Sequence, residues 1–134
     1  MPSLFDFALV TPGAVKFEGR AEIVVMPGVA GDFAALAQHA PMLTTLRTGV
    51  LRATVEGAGR IEYAIKGGFA QIMPDKVVLL TDVAVAEADV NVDEARADLR
   101  KAEEAERGGG DDSAQRDAIA WANARLTVAH RQGL

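Results

Sequence analysis

The chain has no cysteine among its 134 residues, which excludes a disulfide framework and a zinc–thiolate site. Histidine and serine are nearly as scarce, with His39, His130, Ser3 and Ser113 the full complement. Both serines fall near element ends, so a Ser-His-Asp arrangement is not expected. No ligand-spaced cluster of carboxylates compensates for the missing thiols, so no metal is expected. Neither a G-x-x-x-x-G-K-[ST] phosphate loop nor a G-x-G-x-x-G fingerprint is present. Positive charge is also short: 14 basic residues face 19 acidic ones for a net charge of −5, which argues against nucleic acid as a partner. No apolar run approaches the roughly 20 residues that span a bilayer. The opening MPSLFDFALVTPG has no basic n-region or cleavage site, so no signal peptide is expected. These absences point to a soluble chain that inserts into no lipid but is able to dock onto a membrane complex.

What the chain does have is 49% hydrophobic residues, arranged in two different periods. Up to residue 88 the period is two. In LRATVE, Leu51, Ala53 and Val55 oppose Arg52, Thr54 and Glu56; in IEYAIK, Ile61, Tyr63 and Ile65 oppose Glu62, Ala64 and Lys66. Alternation of this kind marks half-buried antiparallel strands, because successive side chains point to opposite faces. SLFDFALV, AEIVVM, GFAQIM and KVVLLT are further strand candidates. TPGA reads as a type II turn at Pro12–Gly13, and EGAGR and MPDK as hairpin closures. Short strands with a turn about every ten residues predict an all-β sandwich or flattened barrel. Its core is expected to be aliphatic plus Phe5, Phe7 and Phe69.

From residue 89 the period becomes helical. Val92, Ala95, Leu99 and Ala102 share one face, and Asp93 and Glu94 suit the positive end of the helix dipole. Gly108 to Gly110 stops this helix, and Asp111, Asp112 and Ser113 are N-cap candidates for a second. There Ala118, Ala122, Leu126 and Ala129 form a stripe, widened by Ile119 and Trp121. The expected organisation is therefore a β-sandwich over 1–88 and an antiparallel two-helix hairpin over 89–134. Residues 1–88 hold seven basic and nine acidic residues, residues 89–134 seven and ten, so charge assigns the halves no different partners.

The segment GDFAALAQHAPMLTTLRTG, Gly31 to Gly49, is almost free of charge and carries His39 beside Pro41. Three readings stand side by side. Asp32 and His39 form an acid–base pair of a small enzyme; the run is a neutral contact loop pinned by Pro41; or it is two core strands and a turn. With no further catalytic constellation, no catalytic residue is expected.

MPGVAGDFAALAQHAPMLTTLRTGVLR, followed by KGGFAQIMPDKVVLLTD, resembles the epsilon subunit of F-type ATP synthases, whose mitochondrial counterpart is called delta. The family pattern is matched at Pro27, Gly28, Gly31, Asp32, Phe33, at His39 through Thr44, and at Leu46 and Gly49. It is matched again at Gly67, Gly68 and Phe69 and from Val77 to Asp82. The chain departs at Ala34, Ala37 and Gln38, where the family usually has Gly, Pro and Gly, which predicts a less sharply turned loop.

The resemblance implies a rotor subunit without an active site, peripheral on the cytoplasmic face of the bacterial inner membrane. The implied partners are the gamma subunit and the membrane c-ring for the sandwich, and alpha and beta for the hairpin. Ala30, Gly31, Asp32, His39, Ala40, Pro41 and Met42 would be the gamma and c-ring interface. The family's hairpin folds down on the sandwich or extends along gamma to restrain ATP hydrolysis. Some members bind ATP there through a pattern that VDEARA resembles, implying Asp93 and Arg96, with Arg125 on the second helix. Trp121 stands where those members tend to have another arginine, so no cofactor is assigned. The alternative from another class is a free-standing β-sandwich adaptor whose hairpin captures an unrelated partner.

Overall fold

The computed structural model describes residues 3–109 and 113–129. Among them, nine strands precede two helices: β1 Phe5–Thr11, β2 Ala14–Gly28, β3 Gly31–Leu36, β4 Met42–Leu46, β5 Gly49–Val55, β6 Gly59–Ile65, β7 Gly68–Met73, β8 Lys76–Leu80, β9 Ala84–Ala86, α1 Val92–Arg107 and α2 Ser113–Ala129. A short 3-10 helix, Glu87–Asp89, joins β9 to the helical part.

Strand β2 organises the sandwich because it is twice as long as its neighbours and serves both layers. Its first half pairs with β1, from Thr11↔Ala14 to Phe5↔Ala21. Its second half pairs with β3 on one side and β5 on the other, and touches β4 at Gly28↔Leu46. The path β2–β1–β8–β7–β4 thus returns to β2, while β5, β6 and β9 extend the second layer. Among the described strands only the β1–β8 pairing is parallel. This is the expected flattened barrel, closed enough to leave few free edges.

Between the layers lie Phe5, Phe7 and Leu9 of β1, Val24 and Met26 of β2, Leu51, Ala53 and Val55 of β5, and Ile72, Val77 and Leu79. Each large member contributes about 1.5–3 kcal/mol of burial. The Phe7 and Phe17 rings meet at 5.5 Å. Phe69 is a correction to the expected core, since it points outward and is 54% exposed. Ala70 and Ile72 are the buried side of β7.

Turn chemistry differs at one place. Gly13 is absent from the positive-φ positions, so Pro12–Gly13 is not a type II turn. The β1–β2 register shifts instead, with Leu9↔Phe17 followed by Val10↔Val15, leaving Lys16 as the extra residue of a bulge that restores the strand twist. The Gly67–Gly68 pair does require glycine. Gly68 has φ +125°, and a Cβ there would run into the Leu80 carbonyl of the adjacent strand.

Strand β6 also departs from simple alternation. Glu62 and Ala64, expected on the wet face, are both buried. Ala64 packs against Ala124 and Val128 of α2. Glu62 is enclosed by Arg52 and Arg60, each 3.3 Å from its Oε2. Helix α2 covers this face at Ala64 and the two arginines cover it at Glu62, so a strand that looks amphipathic has buried side chains on its expected wet face.

The helical hairpin begins where Asn91 caps α1 by accepting a hydrogen bond from the Glu94 amide. It turns at Gly108 and Gly109, the latter at φ +102°. Ala95 and Ala102 are buried as expected. On α2 the buried set is Ala122, Ala124, Arg125, Val128 and Ala129, whereas Ala118 is exposed and Leu126 half-buried. The stripe is rotated because α2 packs on both α1 and the sheet rather than on α1 alone. Gly110, the cap candidates Asp111 and Asp112, and His130 lie outside the described residues.

Candidate functional site

The segment from Gly31 to Gly49 folds as two strands and a turn, and both strands put apolar side chains on the surface. Across the sheet, Thr45, Phe69, Leu80 and Val10 are paired in register on β4, β7, β8 and β1. The next outward row is Leu43, Gln71, Val78 and Ala8. Alternation sends the intervening Ala70, Leu79 and Leu9 inward, fully buried. Leu43 is 73% exposed and Leu80 50% exposed. A shallow hollow of about 380 Å³ lies beside Phe69 and Leu80, bounded by Val10, Pro12 and Asp82. One layer of the sandwich therefore presents a largely apolar face four strands wide, interrupted by Thr45 and Gln71.

The anticipated interface residues separate into two groups at opposite ends of β3. Ala30, Gly31 and Asp32 form the tip of the β2–β3 hairpin, exposed together with Val29. His39, Ala40 and Pro41 lie in the β3–β4 turn, and Met42 opens β4. At about 3.3 Å per residue, the strand carries the chain about 13 Å between Asp32 and Leu36. His39 is anchored beyond Leu36, its amide donating to the Leu36 carbonyl. The structure therefore does not bring Asp32 and His39 together as an acid–base pair. Asp32 accepts from Arg47 Nη2 at 2.5 Å, and His39 Nδ1 donates to the Ala40 carbonyl at 2.7 Å.

The β3–β4 turn contains a left-handed residue at the place where the family pattern has glycine. Gln38 takes φ +68°, the left-handed region that costs a residue with a Cβ about 1–2 kcal/mol. Its amide donates to Pro74 O at 2.7 Å, which ties the turn to the β7–β8 hairpin. Gln38 thus adopts the backbone conformation of the glycine it replaces in the family pattern.

The three residues considered for nucleotide have different surroundings. Asp93 and Arg96 are exposed on the first turns of α1. Arg125 is 8% exposed. Its Nη2 donates to Asp98 at 3.0 Å, its Nε donates to the Trp121 carbonyl, and its guanidinium sits 5.1 Å above the Trp121 ring. No hydrogen bond or ion pair among the described residues joins it to Asp93 or Arg96. Among the same residues no group of His, Asp and Glu is placed to hold a metal, and no helix is long and apolar enough to cross a membrane.

Sequence reasoning missed Arg47, Thr48, Phe69 and Leu80 as surface determinants. Gln71 was the available signal for Phe69. A polar residue two positions along β7 marks the outward face that Phe69 shares. Leu80 sits in an unbroken apolar run, where alternation is silent.

A β-sandwich with an apolar sheet face and a helical hairpin docked on its other layer defines the class of the protein as a two-part sandwich-and-hairpin chain. The model of the ATP synthase delta/epsilon chain β-sandwich domain matches residues 4–87. Curated ATP synthase epsilon chains are similar along most of their length. The Mesorhizobium japonicum protein is 38% identical, covering 83% of this chain and 80% of the relative. The Ralstonia nicotianae epsilon chain 2 is 41% identical, covering 75% and 72%. Among solved structures, a chain of the Euglena gracilis mitochondrial ATP synthase (OSCP/F1/c-ring) shares the fold at a TM-score of 0.72 and 20% identity, covering 96% of this chain and 79% of that one. A chain of the Tetrahymena thermophila mitochondrial ATP synthase central stalk and c-ring gives 0.60 at 13% identity, covering 93% and 96%. The chain belongs to the ATP synthase delta/epsilon family, as a non-catalytic subunit of that membrane-associated complex.

Proposed function

We propose that this chain is a rotor subunit of the central stalk, seated on the gamma subunit through its apolar sheet face and on the c-ring through the β2–β3 tip. The observation that carries the proposal is the row Val10, Leu80, Phe69 and Thr45 with Leu43 beside it. An exposed apolar patch of this extent marks a partner surface. The closed, well-packed barrel behind it supports the coupling role, since a stiff body passes on torque with little internal yield. The His39–Met42 segment borders the same face through β4, so the gamma contact extends to it, while Ala30, Gly31 and Asp32 are left for the c-ring. The subunit is peripheral, on the cytoplasmic face of a bacterial inner membrane, and needs no lipid insertion.

The hairpin acts as a restraint on ATP hydrolysis, undocking to reach alpha and beta. Its contact with the sandwich is small: Ala64, Ala124 and Val128, with Val50, Val90 and Trp121 around them. Alanines bury little area, so the docked form is held weakly enough to be reversible. No nucleotide is required for docking, because Arg125 already has its anionic partner within the hairpin.

Affinity capture of the tagged chain from its own cells tests the assignment. Recovery of gamma, alpha, beta and c subunits is expected, and their absence refutes it. Removal of residues 89–134 is expected to raise ATP hydrolysis by the assembled complex; equal rates with and without them rule out the restraint.

A further inference from the structure

The four residues from Arg47 to Val50 span the β4–β5 connection, Arg47–Thr48, and the first two residues of β5, and they engage two parts of the molecule, the β2–β3 hairpin and α2. Arg47 holds the β2–β3 tip three times. Its amide donates to Pro27 O at 2.8 Å, Nη1 to Gly28 O at 2.5 Å and Nη2 to Asp32 Oδ1 at 2.5 Å. The neighbouring Val29 amide donates to Thr45 O at 3.1 Å. Thr48 turns the other way, and its Oγ1 donates to Asp117 Oδ1 of α2 at 2.7 Å. Gly49 lies against Pro27, where a Cβ would come within 3.0 Å of the proline Cβ. Val50 packs into the small cluster under α2.

From this arrangement we infer that Arg47–Val50 is a junction coupling the docking of α2 to the order of the β2–β3 tip, with Arg47 the positioning residue for the tip. The exposed ion pair alone would be worth little. The geometry matters more than the charge. One guanidinium and one amide bind three acceptors on a single hairpin, and the next residue carries a hydrogen bond to α2. With Arg47 and Thr48 adjacent, and Gly49 fitted closely to Pro27, the turn has little room to move at one end without moving at the other. Docked α2 holds Thr48, and Thr48 holds the peptide from which Arg47 reaches the tip. Release of α2 frees that peptide and loosens Val29 to Asp32. Equilibrium coupling is reciprocal, so loss of the Arg47 grip also weakens α2 docking.

The inference rests on the proposed function for the meaning of the tip as a contact, but its test needs no partner. Amide hydrogen exchange is measured on the isolated full chain for wild type, Thr48→Val, Arg47→Ala and the double variant, with Arg47→Lys as a second, milder probe. Thr48→Val is expected to speed exchange at Val29 and Asp32 by about threefold or more. Arg47→Ala is expected to do the same for α2 amides near Asp117, and the double variant to fall short of the product of the singles, as coupled sites do. Arg47→Lys, which keeps the charge but loses the fork, should act in the same direction as Arg47→Ala. Effects confined to each residue's own side, or strictly multiplicative ones, overturn the junction. Either result leaves the gamma and c-ring assignment standing, and failure to capture gamma leaves the junction standing.

Discussion

Gln38 occupies a backbone conformation that favours glycine, at φ +68°, and nothing in its surroundings asks for the glutamine side chain, which is exposed. Gln38→Gly is expected to raise stability by about 0.5–1 kcal/mol, the relief of left-handed strain less the added unfolded-state entropy, read as an increased denaturation midpoint. Tyr63 makes a second residue-scale prediction. Its hydroxyl donates to Lys16 O at 3.1 Å, and burial, followed by the charge of Asp89, raises its pKa above the ordinary 10.0. The folded state therefore holds this proton more tightly than the unfolded chain. The associated stability is complete below pH 10 and is lost as the pH rises through the raised value. Alkaline denaturation curves of Tyr63→Phe should lack this component. Retention of an identical alkaline limb would assign it to another group.

At the scale of elements, the strands were legible wherever only one face is buried. Leu51, Ala53 and Val55 alternate with Arg52, Thr54 and Glu56 in sequence and in burial alike. Strand β6 was misread because its outer face is covered at Ala64 by a helix about 60 residues further along, a tertiary fact that alternation does not carry. Phe69 was misplaced because hydrophobicity was read as burial, whereas apolar residues on a partner-binding face look the same in sequence. The exchange of a type II turn for a bulge at Lys16 was illegible for a related reason, since Pro-Gly suits several turns and the strand twist selects among them. In the helical part, Ala95 and Ala102 were legible as a facing stripe. Arg125 was not, because a buried arginine has no apolar signature and its partner Asp98 is on the other helix. Removing that partner should loosen the hairpin. Asp98→Ala is expected to cost about 1–2 kcal/mol, as loss of a charge-assisted hydrogen bond partly open to water. Amide exchange across α2 measures the change, with Asp98→Asn intermediate because it keeps the acceptor. An unchanged α2 would mean that the small apolar cluster holds the hairpin by itself.

For the whole molecule, the two surfaces carry different kinds of information. The apolar sheet face is rigid, built on fully buried Ala70, Leu79 and Leu9, and suited to a lasting seat. The helical hairpin meets the sandwich through a small apolar cluster and the Thr48–Asp117 hydrogen bond, and is suited to exchange between states. The family was legible in the sequence through the glycine-, proline- and histidine-bearing runs, whereas the extent of the apolar face proposed as the gamma seat became visible only once β1, β4, β7 and β8 lay side by side. A titration of the purified chain with its gamma subunit, comparing wild type with the Phe69→Asp, Leu80→Asp double variant, is the most direct measure of that seat. Both residues point outward, so the variant should fold with an unchanged circular dichroism spectrum and bind at least about 100-fold more weakly, as buried interface anchors do. Equal affinity for a folded variant would contradict the assignment of this face to gamma.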